Sequence, residues 1–413
     1  MRSEDYQPTS QLPADSQDAW PVEAQAEDTI DRSIPPGAWP QRYQPFRPAQ
    51  QGGFGIVYFV SDQQTGQDYA VKTCRAEQAT YPDVERFKAE IDFWLNLEPY
   101  PHIVKAHFVE VVDGQPYLFM EYVDGGAHPD LASRLKAAGG RLGVEQAVDF
   151  AYQLCLGMEF ANRKGEVVHG DLKPQNLLID RNNQLKVTDF GTAELIRVVE
   201  GAYPRSTRST WEYAPPEMIL EQLADNRADI FALGMILCEM LMGRETTRQG
   251  TKRYPYPLFL SHDIREMYQQ LQTFHKQHSM RQLCQQIYYD GIPGVPQDLS
   301  IIVSGCLSDD MSERFRDFTR LRNELERAFN LKPPVAGNQA SAADLHRHAL
   351  SLHRIGRYHE ALNLFNRLLL QHPADGQLWL DAAETLQAAG FTIDAQEFRE
   401  RAADLDPPLQ QRE

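Results

Sequence analysis

Two clusters of polar residues constrain this chain more than anything else in it: HGDLKPQN from His169 to Asn176, and DFG from Asp189 to Gly191, joined by a short hydrophobic run. Asp171 is a carboxylate placed to accept a proton from an attacking hydroxyl, and Lys173, two residues on in the same loop, aims a cation the same way. Asn176 and Asp189 offer the hard oxygen ligands that magnesium takes. KVTDF, from Lys186 to Phe190, reads as a strand that delivers Asp189 to the mouth of a cleft. A base, a cation facing an anion and two oxygen ligands are what phosphoryl transfer asks of a protein, because its catalysis is mostly positioning and charge stabilisation. A lone DFG arises often by chance; the ordered pair of clusters does not.

Upstream elements complete the set. In GGFGIVY, Gly52, Gly53 and Gly55 let a backbone lie over phosphates without Cβ interference, and Phe54 caps the loop tip. Ala70-Val71-Lys72 follows, and Glu90 lies eighteen residues beyond Lys72 in RFKAEIDFWLNL, on an amphipathic helix, as its expected ion-pair partner. With these motifs in order, the chain resembles the eukaryotic-like (Hanks-type) serine/threonine protein kinases over roughly residues 41 to 330.

The resemblance implies an α+β, two-lobed protein-kinase fold, with a mostly antiparallel small lobe over 41–123, a helical large lobe over 124–330, and ATP with magnesium or manganese between them. It implies that Asp171 is the catalytic base, that Lys173 meets the γ-phosphate, that Thr210 touches both, and that Asn176 and Asp189 hold the metal. Val57 and Ala70 match the roof of the adenine pocket and Leu178 its floor; Met120 matches the gatekeeper, with Glu121 and Val123 giving hinge backbone contacts. Trp94, Phe190 and His169 match the regulatory spine. Glu217 of YAPPE is expected to pair with Arg314 of SERFRDF, and Asp229 to head a buried central helix. Lysine two residues after the catalytic aspartate is the serine/threonine pattern, so the implied substrate is a protein hydroxyl.

Two departures stand out. Gln50 replaces the first glycine of the loop, with Ala49 where a larger aliphatic usually covers adenine, which bears on nucleotide affinity. Gly170 replaces the arginine that reads a phosphate on the activation loop, which argues against control by loop phosphorylation. These departures keep a second reading open, a nucleotide-binding pseudokinase that scaffolds partners. A third, a small-molecule phosphotransferase, draws on HGD, which also occurs in the antibiotic-phosphorylating relatives of the fold; YAPPE, the Glu217 and Arg314 pair and Lys173 stand against it.

The net charge of −17 and the absence of a Lys/Arg-rich run make nucleic acid and anionic membrane poor candidate partners. Five cysteines, Cys74, Cys155, Cys238, Cys284 and Cys306, are widely spaced with no CxxC, and read as reduced structural thiols. Ile230 to Met242 is too short for a membrane span and carries Glu239; no secretory leader pattern opens the sequence, and a cytoplasmic location is expected. Residues 1–40, rich in Gln, Pro, Ser and acidic groups, read as a disordered tail.

The C-terminal region repeats at a separation of 34 residues: Leu345 with Trp379, Ala349 with Ala383, Leu352 with Leu386, Gly356 with Gly390, Ala361 with Ala395 and Pro373 with Pro407. That period resembles two tetratricopeptide helix hairpins over 342–408, after a linker at 331–341. Two repeats bury too little to stand alone, so they are expected to lean on the large lobe, a second copy of the chain or a partner protein. Between Gly243 and Pro296 the sequence departs from the family; its aromatics read either as local helix packing or as a substrate-docking segment.

Overall fold

The computed structural model describes residues 42–52, 55–74, 87, 90, 91, 93, 94, 97, 99–112, 115–163, 168–190, 212–220, 225–243, 269, 273, 287–332 and 341–405. The expectations for the 1–40 tail, for Gly53 and Phe54, for Thr210, for Cys284 and for most of 243–296 lie outside these residues.

The small lobe is a five-stranded antiparallel sheet: β1 (Tyr43–Gly52), β2 (Gly55–Asp62), β3 (Asp68–Thr73), β4 (Ala106–Val112) and β5 (Gln115–Glu121), in the order β1-β2-β3-β5-β4. Alternation along these strands makes two cores. Tyr58, Val60, Tyr69, Val71, Phe108 and Phe119 pack together on the outer face. Val109, Leu118 and Met120 join Phe87, Ile91 and Trp94 of the Glu90 helix on the inner face. A one-residue slip of any strand would exchange the two sets, so burial on both faces fixes the register.

The large lobe comprises α1 (Leu131–Ala137), α2 (Val144–Asn162), a two-stranded ribbon of β6 (Leu177–Ile179) and β7 (Leu185–Val187), α3 (Pro216–Leu220), α4 (Asn226–Met242), α5 (Gln297–Cys306) and α6 (Phe318–Phe329). Every residue of α4 from Ala228 to Leu241 is buried. Apart from Asp229 and Glu239 this stretch is apolar on all sides, as befits a helix enclosed by other elements; no helix among the described residues is long and apolar enough to cross a membrane. The four described cysteines, Cys74, Cys155, Cys238 and Cys306, are buried and free of disulfides, and burial pushes the Cys155 thiol well above its ordinary range.

Four helices follow: α7 (Ala342–Arg354), α8 (Tyr358–Gln371), α9 (Gly376–Ala388) and α10 (Thr392–Leu405). They form two hairpins. Gly356 and Gly390 turn the chain at φ +82° and +90°, a conformation that costs glycine nothing. Ala349, Ala383, Ala361 and Ala395 are completely buried where the helices cross closely. Phe365, Leu352 and Leu386 are buried in the hairpins, while Leu345 and Trp379 are partly buried against the same core.

Among the described residues the hairpins rest on the small lobe, a support beyond the large lobe, second copy or partner expected from the sequence. Helix α7 packs on β4, the edge strand of the small-lobe sheet, where the Val109 N–H donates to Ser351 Oγ (3.1 Å) and Arg354 donates to the Val109 carbonyl (3.2 Å). A covered edge is the usual remedy for a strand with unpaired main-chain groups. Ala349, Leu352 and Phe365 thereby belong to one continuous apolar core with Val109, Ile91 and Trp94.

Candidate active site

The groups singled out in the sequence converge between the lobes. Lys72, in β3, is buried and places Nζ 2.5 Å from Glu90 Oε1 and 2.7 Å from Asp189 Oδ1. Burial disfavours its ammonium, but the Asp189 and Glu90 carboxylates outweigh that and hold the group above its ordinary value. Burial likewise opposes the charge on Asp189, and Lys72 overcomes it, keeping the carboxyl below its usual range. Asp189 stands at φ +65°, a costly conformation for a non-glycine residue that is typical of functional sites.

The second group gathers around Asp171, itself buried. Lys173 Nζ lies 2.8 and 3.1 Å from its two carboxylate oxygens, and Asn176 Nδ2 donates to its main-chain carbonyl (2.8 Å) and to Oδ2 (3.1 Å). A short 3-10 turn at Pro174–Asn176 brings these side chains back over the aspartate. With its amide nitrogen spent on Asp171, Asn176 has a carbonyl oxygen to offer a cation. Together with the Asp189 carboxylate this hard-oxygen donor set fits a magnesium or manganese ion.

The loop before Asp171 is held by the central helix. Asp229, in the first turn of α4, accepts from the main-chain N–H groups of His169 (2.6 Å) and Gly170 (2.9 Å). Burial pushes the Asp229 carboxyl up to about 6, against the pull of these hydrogen bonds. His169 packs at a tilt against Phe190 with ring centroids 4.6 Å apart, and Phe190 meets Trp94 edge-on at 5.2 Å. The three rings link the Asp171 loop, the Asp189–Phe190 segment and the Glu90 helix in one column. In the large lobe Arg314 forks Glu217 at 2.6 and 2.7 Å, both side chains buried.

Most of the remaining sequence-derived residues lie on the strands beside this group. Met120 is buried near the end of β5, opposite Ala70 of β3; Val57, Ala70 and Leu178 are half-buried. Val123 is buried, and its carbonyl accepts from Gly125. The Glu121 N–H donates to the Lys105 carbonyl. Its carboxylate takes the Lys105 N–H (3.3 Å) and the Lys186 ammonium of β7 (2.9 Å). That ion pair bridges the lobes behind the cleft, and nothing in the motif pattern announced it.

Gly52 closes β1 opposite Gly55, and a Cβ on Gly55 would sit 2.3 Å from the Thr73 carbonyl of β3. Glycine is therefore demanded at 55 by the strand behind it as well as by any phosphate in front. Gln50 is exposed on β1 opposite Val57.

A family model for the protein kinase domain matches residues 46–324. Among curated proteins, serine/threonine-protein kinase PrkC of Bacillus subtilis is 32% identical over 204 residues, covering 49% of this chain and 31% of that protein. Serine/threonine-protein kinase PknB of Mycobacterium leprae is 27% identical over 299 residues, 71% of this chain and 44% of that protein. Serine/threonine-protein kinase Pkn1 of Myxococcus xanthus is 34% identical over 203 residues, 47% and 28%. The chain thus spans less than half the length of each of these three relatives.

Proposed function

Because the chain belongs to the protein kinase family, we propose that it transfers the γ-phosphate of ATP to serine or threonine hydroxyls of proteins. The observation that carries this reading is Lys72 held between Glu90 and Asp189, facing an Asp171 that is itself held by Lys173 and Asn176. A scaffold that only bound nucleotide would have no need of the second group.

Asp171 accepts the hydroxyl proton of the substrate as the oxygen attacks, and Lys173, already at its carboxylate, neutralises charge on the transferring group. Lys72 grips the α- and β-phosphates while Glu90 fixes its direction. Asp189 and Asn176 would hold magnesium or manganese, which when bound would offset the negative charge of the phosphates. Val57, Ala70 and Leu178 sandwich the adenine, Met120 bounds its inner edge, and the hinge between Glu121 and Val123 meets its polar edge. Gly52, Gly53 and Gly55 cover the phosphates, and Thr210 aligns Asp171 with Lys173.

The C-terminal hairpins we read as two tetratricopeptide repeats, on the strength of the 34-residue spacing that returns as paired glycine turns and paired buried alanines. Their docking on β4 supports a role in holding the kinase domain, and the faces turned away from β4 leave room for a protein partner.

The test is transfer from labelled ATP, with magnesium or manganese, to a generic protein substrate by the full chain, with Asp171→Asn beside it. Transfer by the wild type alone supports the reading. Nucleotide binding without transfer would instead assign the nucleotide-binding scaffold, to which the exposed Gln50 in place of a loop glycine lends some weight.

A further inference from the structure

The row of the sheet that carries Lys72 ends on the C-terminal hairpins. Gln50 faces Val57, Val57 faces Lys72, Lys72 faces Leu118, and Leu118 faces Val109, so one lateral row crosses all five strands. Residues paired in register turn their side chains to the same face. Leu118 and Val109 are completely buried there, in the core that includes Ile91 and Trp94 of the Glu90 helix.

Val109 is the last member of the row, and both of its main-chain groups are taken by α7. Ser351 donates its own hydroxyl hydrogen to the Arg347 carbonyl (2.8 Å), which turns the oxygen lone pairs toward the Val109 N–H. Arg354, less than one helical turn on, donates to the Val109 carbonyl. Leu352, between them, is 2% exposed. The helix therefore grips one residue of the edge strand from two positions within one turn, with Leu352 buried in the shared core between them.

Resting on the kinase reading above, we propose that Ser351 and Arg354 are positioning residues for the Lys72–Glu90 pair, and that α7 is the brace that keeps the edge of the sheet in place. Lys72 and Glu90 belong to different elements, a strand and a helix, and their separation is set by how that helix rests on the inner sheet face. Val109 is part of that face. An edge strand is the member of a sheet most prone to fray, since one side of its backbone has no strand partner. A displacement of about 1 Å at a catalytic pair can cost on the order of 10²-fold in rate.

The experiment compares full-length wild type with Ser351→Ala, Arg354→Ala, the double variant and Glu90→Gln, each checked for folding by circular dichroism. Two quantities are read: the rate at which an amine-reactive ester acylates Lys72, with exposed Lys136 as internal reference, and kcat against KM for a generic substrate. Release of Lys72 from Glu90 should raise its labelling several-fold in the double variant, toward the Glu90→Gln level, with Lys136 unchanged. Kcat should fall by roughly 10-fold with little change in substrate KM. Adding the double variant to Glu90→Gln should cost nothing further, because the two act through one contact.

Lys72 labelling at the wild-type rate in the folded double variant, or a full additional loss in the Glu90→Gln background, would overturn the proposal. Arg354 is exposed, so Arg354→Ala alone still decides the labelling should the double variant fail to fold. Absence of transfer by the wild type would count against the kinase reading and leave the Lys72 labelling to decide this one.

Discussion

Gly170 donates its main-chain N–H to Asp229 Oδ1 at 2.9 Å while its backbone stands at φ +71°. The buried head of α4 thus holds the residue before Asp171 in a conformation that only glycine takes without strain. The side chain absent at this position would carry the loop-phosphate reader in the related kinases, and its loss comes with a relaxed backbone.

Gly170→Arg should therefore stay folded but lose stability, by about 1–2 kcal/mol for a side chain in the left-handed region. Thermal unfolding is the check, with a drop of a few degrees expected. Phosphatase treatment of the wild type, and alanine at Ser206, Thr207 or Ser209, should change its transfer rate little. A large loss that acidic replacements restored would mean that another cation, Arg205 or Arg208, reads the loop.

Asp171→Asn should lower transfer by about 10² to 10⁴ while leaving nucleotide binding close to wild type, because it removes the proposed base and keeps the surroundings. Asp189→Asn removes a charge from Lys72 and from the proposed metal site together. It should lower transfer comparably and also weaken the dependence on magnesium. Single-turnover transfer and nucleotide titration separate the two variants; equal autophosphorylation by wild type and both variants would remove the assigned roles.

The clusters around Asp171 and Asp189 were legible because each is local, with its geometry carried by a few adjacent residues. Lys72 with Glu90 and Glu217 with Arg314 are distant in sequence, and they were legible only through the family pattern. The grip of Ser351 on Val109, 242 residues apart, was not. Helical periodicity says which face of α7 is apolar, but several surfaces are equally able to cover such a face, and neither a serine nor a valine marks the choice. The Lys186 to Glu121 bridge stayed hidden for the same reason: each residue alone reads as an ordinary solvated charge.

Arg314→Ala should destabilise the large lobe by about 3–5 kcal/mol, since it leaves Glu217 buried with no countercharge. Arg314 also donates to the Ser308 carbonyl (2.6 Å) and lies over the Phe231 ring at 4.9 Å, so packing is lost as well. Arg314→Lys keeps the charge without the fork and should cost less. A double variant, Glu217→Gln with Arg314→Met, should recover part of the loss; urea midpoints of the four proteins test it.

Asp62, at the end of β2, is completely buried and accepts from Arg42 Nε at 2.8 Å and from the Gln64 N–H at 2.9 Å. The Arg42 guanidinium, against the opposing effect of burial and with the help of that N–H, holds the carboxyl well below its ordinary value of 3.8. Its folded pKa is the lower of the two, so the unfolded chain takes up the proton first as the pH falls. The stabilisation is therefore complete above the unfolded value and is lost as the pH drops below it toward the folded one. Asp62→Asn should be less stable than wild type at neutral pH by roughly 2 kcal/mol, the scale of hydrogen bonds to a charged group. The gap should narrow progressively below about pH 4, as the wild-type carboxylate becomes costly to keep ionised. Urea midpoints of both proteins across that range decide it: a gap that stays constant into acid would mean that Asp62 acts by shape and packing and that its pairing with Arg42 contributes no charge-dependent stability.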